Sequence, residues 1–198
     1  MVLNHIMGLY VHPKKEWQEI GLHKETLVSS LTHLLFIALI PTVCAYIANT
    51  YIGWDLGISK TLLLTPKSAL LMSVGLYAGL IGGVFALAYI AYWMAKTFDT
   101  APSYSVALEL VVYTATPMFM VGLAALYPTL WLMMMIGLCG IAYSIYLLYS
   151  GLPIMMNIPE DKGFMYASSV VTAGLVLLVS LMATSIILWS HGFGPVIQ

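Results

Sequence analysis

The sequence predicts an all-α, polytopic membrane protein: a bundle of five transmembrane helices behind a short amino-terminal arm. Three observations carry that prediction. Of 198 residues, 61% are hydrophobic and only 8% are charged, where a soluble domain carries roughly 25% charge. The apolar residues fall into five stretches, each long enough for the about 20 residues that cross a 30 Å hydrocarbon core. Turn formers and charges collect between those stretches, where loops at a membrane surface belong. Together these exclude a soluble enzyme, a nucleic-acid binder and a disulfide scaffold. The seven basic side chains are all Lys, so the chain lacks the rigid guanidinium fork that grips phosphate bidentately. Cys44 and Cys139 both lie in apolar runs and imply no oxidised framework.

The first element, Met1–Leu27, holds three of the seven Lys and three of the eight acids. It lacks the long apolar region and small-residue cleavage site of a signal peptide, so it reads as a cytoplasmic arm. Pro13 suits the first position of a short helix. Trp17 and Ile20 then share a face beside Lys14, Lys15, Glu16 and Glu19, as a helix lying on the membrane surface would arrange them. A short solvated helix or an irregular arm is the plainer alternative.

The five spans follow as Val28–Trp54, Ser68–Ala95, Tyr104–Leu126, Thr129–Ser150 and Met165–Trp189, and make one domain over residues 28–198. Their connections are Asp55–Lys67, Lys96–Ser103, a tight Tyr127-Pro128 corner, and Gly151–Phe164 with Pro153, Asn157 and Pro159. With the amino terminus inside, Lys14, Lys15, Lys24, Lys96 and Lys162 face the cytoplasm and only Lys60 and Lys67 face out. That excess favours N-in, C-out. Tryptophan prefers the membrane interface, and Trp54, Trp131, Trp189 and Trp93 all fall at predicted helix ends, with Trp17 in the arm. The odd number of spans argues against two inverted halves.

Three segments resemble the Yip family of membrane proteins, named for interaction with Rab-type GTPases, and in particular its short bacterial branch. They are Gly8-Leu9-Tyr10 with Pro13 and Trp17, Tyr113-Thr114-Ala115-Thr116-Pro117 in the third span, and Tyr146-Leu147-Leu148-Tyr149-Ser150-Gly151-Leu152-Pro153 before the fifth. The resemblance implies five spans, a cytoplasmic amino terminus and a multi-pass protein of the bacterial inner membrane. Eukaryotic members are associated with vesicle traffic and carry a longer cytosolic region. With its short arm, this chain is not expected to bind a Rab-type GTPase.

Glu109 is the one acid well inside a span, and an intramembrane carboxylate costs about 3 kcal/mol, which makes it a functional-site candidate. His33 and Glu109 each sit about one and a half turns, roughly 8 Å, past the start of parallel spans and could meet. Tyr113 lies at i+4 from Glu109 on the same face. Such a group could share a proton or hold a cation. Alternatively, a protonated Glu109, or one that snorkels to the interface, merely staples two helices.

Gly75, Gly79 and Gly83, with Gly82 alongside, form a repeated small-xxx-small pattern that lets another backbone approach closely. It reads as packing within the chain, against the first or fifth span, or as a seam between copies. Pro41 and Pro117 each remove a backbone hydrogen bond and kink a span, with Thr42, Thr114 and Thr116 placed to satisfy the freed carbonyls. Asn49 is an interfacial hydrogen-bonding group or the mouth of an ion path. Met133, Met134 and Met135 would suit Cu(I) by softness, but consecutive helical residues point in different directions, so they read as lipid-facing bulk. His5, His12 and His23 lack the spacing of a structural zinc site.

No nucleophile elbow or phosphate loop is present, and no span holds a pair of acids. The chain is therefore expected to be no enzyme, with no catalytic residue, metal or cofactor. Its expected partners are membrane lipid and either a second copy or another membrane protein. Two function classes follow: a non-catalytic protein that organises membrane or a complex through helix packing, and a channel or transporter for a proton, cation or small solute using His33, Glu109 and Tyr113. The scarcity of polar residues favours the first, because a hydrated path needs more lining than three side chains.

Overall fold

In a computed structural model, residues 8–22, 27–55 and 62–198 are described, Phe193 as backbone alone. His5, His23, Lys24 and Lys60 lie outside them. The arm is a helical turn over 8–11 followed by α1 (Pro13–Leu22). The spans are α2 (Leu27–Ile47, extended by a π turn Ala48–Ile52), α3 (Pro66–Met94), α4 (Tyr104–Met120, extended by a 3-10 segment Val121–Leu126), α5 (Leu130–Met155) and α6 (Glu160–Leu188). The all-α class holds, and among the described residues five helices are long and apolar enough to cross a membrane.

Eight of the ten span boundaries lie within about three residues of the sequence reading, as helix ends generally do. The loop between α5 and α6 is the exception: it shrinks from Gly151–Phe164 to the few residues from Met156 to Pro159. Pro153 signalled a break, yet it stands inside the last turn of α5. It is tolerated there because the helix ends within three residues, and its ring fills the space left by Gly163, where a Cβ would meet Pro153 Cβ at 3.0 Å. The reversal happens at Asn157, in the left-handed region at φ 51°, with the Asn157 and Ile158 amides donating to the Ile154 and Pro153 carbonyls. Asn tolerates that conformation better than branched residues do.

The helix α4 is the centre of the bundle. Two-thirds of its span is buried (67%), against at most 39% for any other, and it packs on α2, α3 and α5. The remaining interfaces are α2 with α3, α5 with α6, and α3 with α6. Small residues set several of these distances. A Cβ at Gly122 would collide with Pro41, and one at Gly140 would collide with Val121. Pro41 is thus seated against the α4 extension and opens no gap on that side.

One end of the bundle is tied by short backbone pairings, Trp54 with Leu62, Asp55 with Thr129 and Leu64 with Ile197. There the chain's last residues return to the start of α3, where the Val196 amide donates to Ser68 Oγ at 3.1 Å. The other end, here called the arm end, holds the turns 95–103 and 156–159. Lys162 donates to Asp99 at 2.7 Å across these turns, and this holds the Asp99 carboxyl below the usual carboxylate range.

The arm departs from the expected surface helix. It packs along α5, with Leu9, Trp17 and Ile20 at 1%, 0% and 1% exposure. Its apolar face is spent on protein, and Lys14, Lys15, Gln18 and Glu19 face outward.

Candidate functional site

No residue of α4 between Tyr104 and Met120 is exposed, and its central polar residues are held inside the bundle. Glu109, Tyr113 and Thr116 stand at i, i+4 and i+7, on one side of the helix, and are 2%, 0% and 1% exposed. His33 of α2, 2% exposed, faces them. His33 Nε2 lies 3.1 Å from Thr116 Oγ1, which itself donates to the Val112 carbonyl at 3.0 Å. The His33 ring meets Tyr113 edge-on, with centroids 4.9 Å apart. The structure therefore gathers His33, Glu109 and Tyr113 into one buried column, adding Thr116. Glu109 stays deep in the bundle and does not snorkel to the surface.

Trp17 closes this column toward the arm end. Its ring is edge-on to Tyr113, centroids 6.4 Å apart at 90°. Its other neighbour is Gly151 of α5, where a Cβ would collide with the indole. The Trp17 Nε1 atom is buried without a hydrogen-bond partner. Area and ring contact alone hold it, worth about 3–5 kcal/mol for a large aromatic. Sequence reasoning placed Trp17 at an interface and missed this role, although the small Gly151 in an otherwise bulky run was the signal.

Pro41 and Pro117 stand inside α2 and α4. Thr42 Oγ1 donates to Ala38 O at 2.8 Å and Thr116 Oγ1 to Val112 O. Those carbonyls neighbour the ones that Pro41 and Pro117 free, at Ile37 and Tyr113. Asn49 accepts from Trp54 Nε1 at 2.7 Å, which makes it a bracket at the tied end. Met134 and Met135 are 68% and 61% exposed, on the lipid-facing side.

The glycine seam changes membership. Gly83 faces α6, where a Cβ would lie 3.4 Å from Leu181 Cδ1. Among the described residues, a Cβ at Gly75, Gly79 or Gly82 would meet nothing within 4 Å. Ala78, at i+3 from Gly75, is exposed on the same face. The fold thus leaves a flat strip of Gly75, Ala78, Gly79 and Gly82 uncovered, although α3 and α6 do touch closer to the arm end through Leu87 and Gly174.

Comparison with known proteins rests on most of the chain. The Yip1 domain family matches residues 7–181, a stretch that includes the arm, α1 to α5 and most of α6. The chain belongs to the Yip1 family. Inner membrane protein YohC of Escherichia coli, from strain K12 and again from O6:H1, is 36% identical over 192 residues, covering 96% of this chain and 98% of that protein. No solved structure matches. As a Yip1-family chain with five membrane-capable helices, the protein is a multi-pass inner-membrane protein.

Proposed function

We propose that this protein is a non-catalytic membrane component that works by packing the open face of α3 against a second copy of itself. The observation that carries this is the strip of Gly75, Ala78, Gly79 and Gly82: among the described residues, a Cβ added at any of the three glycines would meet nothing within 4 Å. Apolar side chains gain little by leaving lipid for one another, so helix association in a bilayer depends on close backbone approach, which small residues permit. In an otherwise bulky chain, this strip offers that approach. The test is Gly79→Leu. The new side chain enters empty space in the monomer, so the fold survives while the copies separate, read as a shift to monomer in mild detergent. A Gly79→Leu protein that stays fully assembled would overturn the reading.

A second reading draws on the column of Glu109, Tyr113 and Thr116 with His33 beside it. An intramembrane carboxylate with hydroxyl and imidazole neighbours is the equipment of a proton or cation carrier. Burial that leaves 2% or less of all four side chains exposed argues instead for a structural staple. Proton and cation flux into proteoliposomes, wild type against Glu109→Gln, separates the two. The packing account expects no flux from either, and flux that vanishes in the variant would install transport in its place.

A further inference from the structure

We infer that the arm over residues 8–22 is a half-span, whose deep end at Tyr10 and Val11 contacts the acyl chains of the arm-side leaflet. The registration of the arm on α5 carries the inference. Tyr143 donates to the Leu9 carbonyl at 2.8 Å, an offset of 134 residues. Trp17 covers Gly151, and a Cβ at Gly21 would lie 3.7 Å from Met155 Sδ, so the same offset holds over three helical turns. The two helices therefore run side by side and parallel, with Gly21 at the end of α5 and Leu9 deep along it.

The depth follows from helix geometry. From Met155 back to Tyr143 is about 18 Å at 1.5 Å per residue. The 26 residues of α5 span about 39 Å, which exceeds a 30 Å hydrocarbon core by only about 9 Å. Even if that whole excess projected at the arm end, Leu9 and Tyr10 would lie about 9 Å inside the core. A second helix agrees. Gly140 sits against Val121 and Met118 of the antiparallel α4, which puts Tyr143 near the level of Pro117, about 20 Å from the start of α4.

The chemistry of the arm suits a dry site. Pro13 has no N–H, so the Leu9 carbonyl loses its helical donor. In lipid an unpaired carbonyl costs several kcal/mol, about what confines spanning chains to closed hydrogen bonding. Tyr143 supplies the missing donor from α5, and its ring stacks on Tyr10 at 5.2 Å and 2°. The backbone otherwise stays helical through the proline, with His12 N donating to Gly8 O at 2.8 Å and Glu16 N to His12 O at 3.1 Å. The Glu16 carboxylate folds back over Gly8, which has no Cβ to obstruct it. Val11 and Tyr10 present apolar surface, 62% and 44% exposed. Lys14 and Lys15 lie nearer the end of α5, from where their stems can carry the ammonium groups up to the headgroups.

The test places a fluorophore on Val11→Cys, and separately on Leu22→Cys, in full-length protein with Cys44 and Cys139 replaced by Ala, reconstituted in phosphatidylcholine vesicles. Both residues point away from the bundle, so neither change disturbs packing. Quenching by nitroxides on the headgroup or deep on the acyl chain reads depth. The half-span predicts strongest quenching of the Val11 label by the deep nitroxide and of the Leu22 label by the headgroup nitroxide or aqueous iodide. If both labels are quenched best from the headgroup or from water, the arm lies on the surface and the inference fails.

Discussion

A single indole decides how the arm is held. Trp17 reaches past α5 because Gly151 has no side chain, and it comes to rest on the edge of Tyr113. Gly151→Ala adds a methyl group where the ring already sits. Such overpacking costs about 1–3 kcal/mol, and the change is expected to lower the thermal midpoint in detergent and to expose Trp17 to aqueous quenchers. An unchanged midpoint would mean that the arm is not seated there. Glu109→Gln, by contrast, keeps shape and hydrogen-bonding capacity, and the packing account expects normal assembly. Glu109 was legible in the sequence because one acid in an apolar run has no bland explanation by composition. The partner of His33 was less legible. Counting from helix starts set His33 level with Glu109 and gave no sign that its Nε2 reaches Thr116, about two turns further along α4 than Glu109. The relative stagger of α2 and α4 is set by packing, on which sequence alone carries no information.

Among the elements, α3 and α4 are opposites. The helix α4 is enclosed by its neighbours and carries polar residues inward, whereas α3 has only 11% of its span buried. Gly75, Gly79 and Gly82 are therefore not needed by the monomer, unlike Gly83, which faces α6. Gly79→Leu should leave monomer stability unchanged or raise it by up to about 1 kcal/mol, since Gly is a poor helix former. Denaturation of the monomer checks this, and a large loss of stability would show that the strip is covered within its own chain. The five spans were legible because lipid demands long apolar runs. Which face of α3 stays open was not, since all its faces are apolar and no periodicity marks the one that meets protein. The end of α5 was misread for a local reason: the ring of Pro153 finds room against Gly163 of the next helix, so the helix runs on through it.

At the scale of the whole molecule, five helices and a half-length arm form a bundle that turns His33, Glu109, Tyr113 and Thr116 inward and leaves the α3 strip open. The orientation in the membrane rests on the Lys distribution, and the packing account does not depend on it. What the account requires is a second chain at the α3 strip. The most direct measurement is disulfide crosslinking in native membranes of Ala78→Cys, in protein with Cys44 and Cys139 replaced by Ala, alongside Met135→Cys, an exposed position on α5 as a control (61%). The account predicts a covalent dimer from position 78, none from position 135, and loss of the dimer when Gly79→Leu is added. Equal crosslinking at both positions, or none at 78, would contradict it.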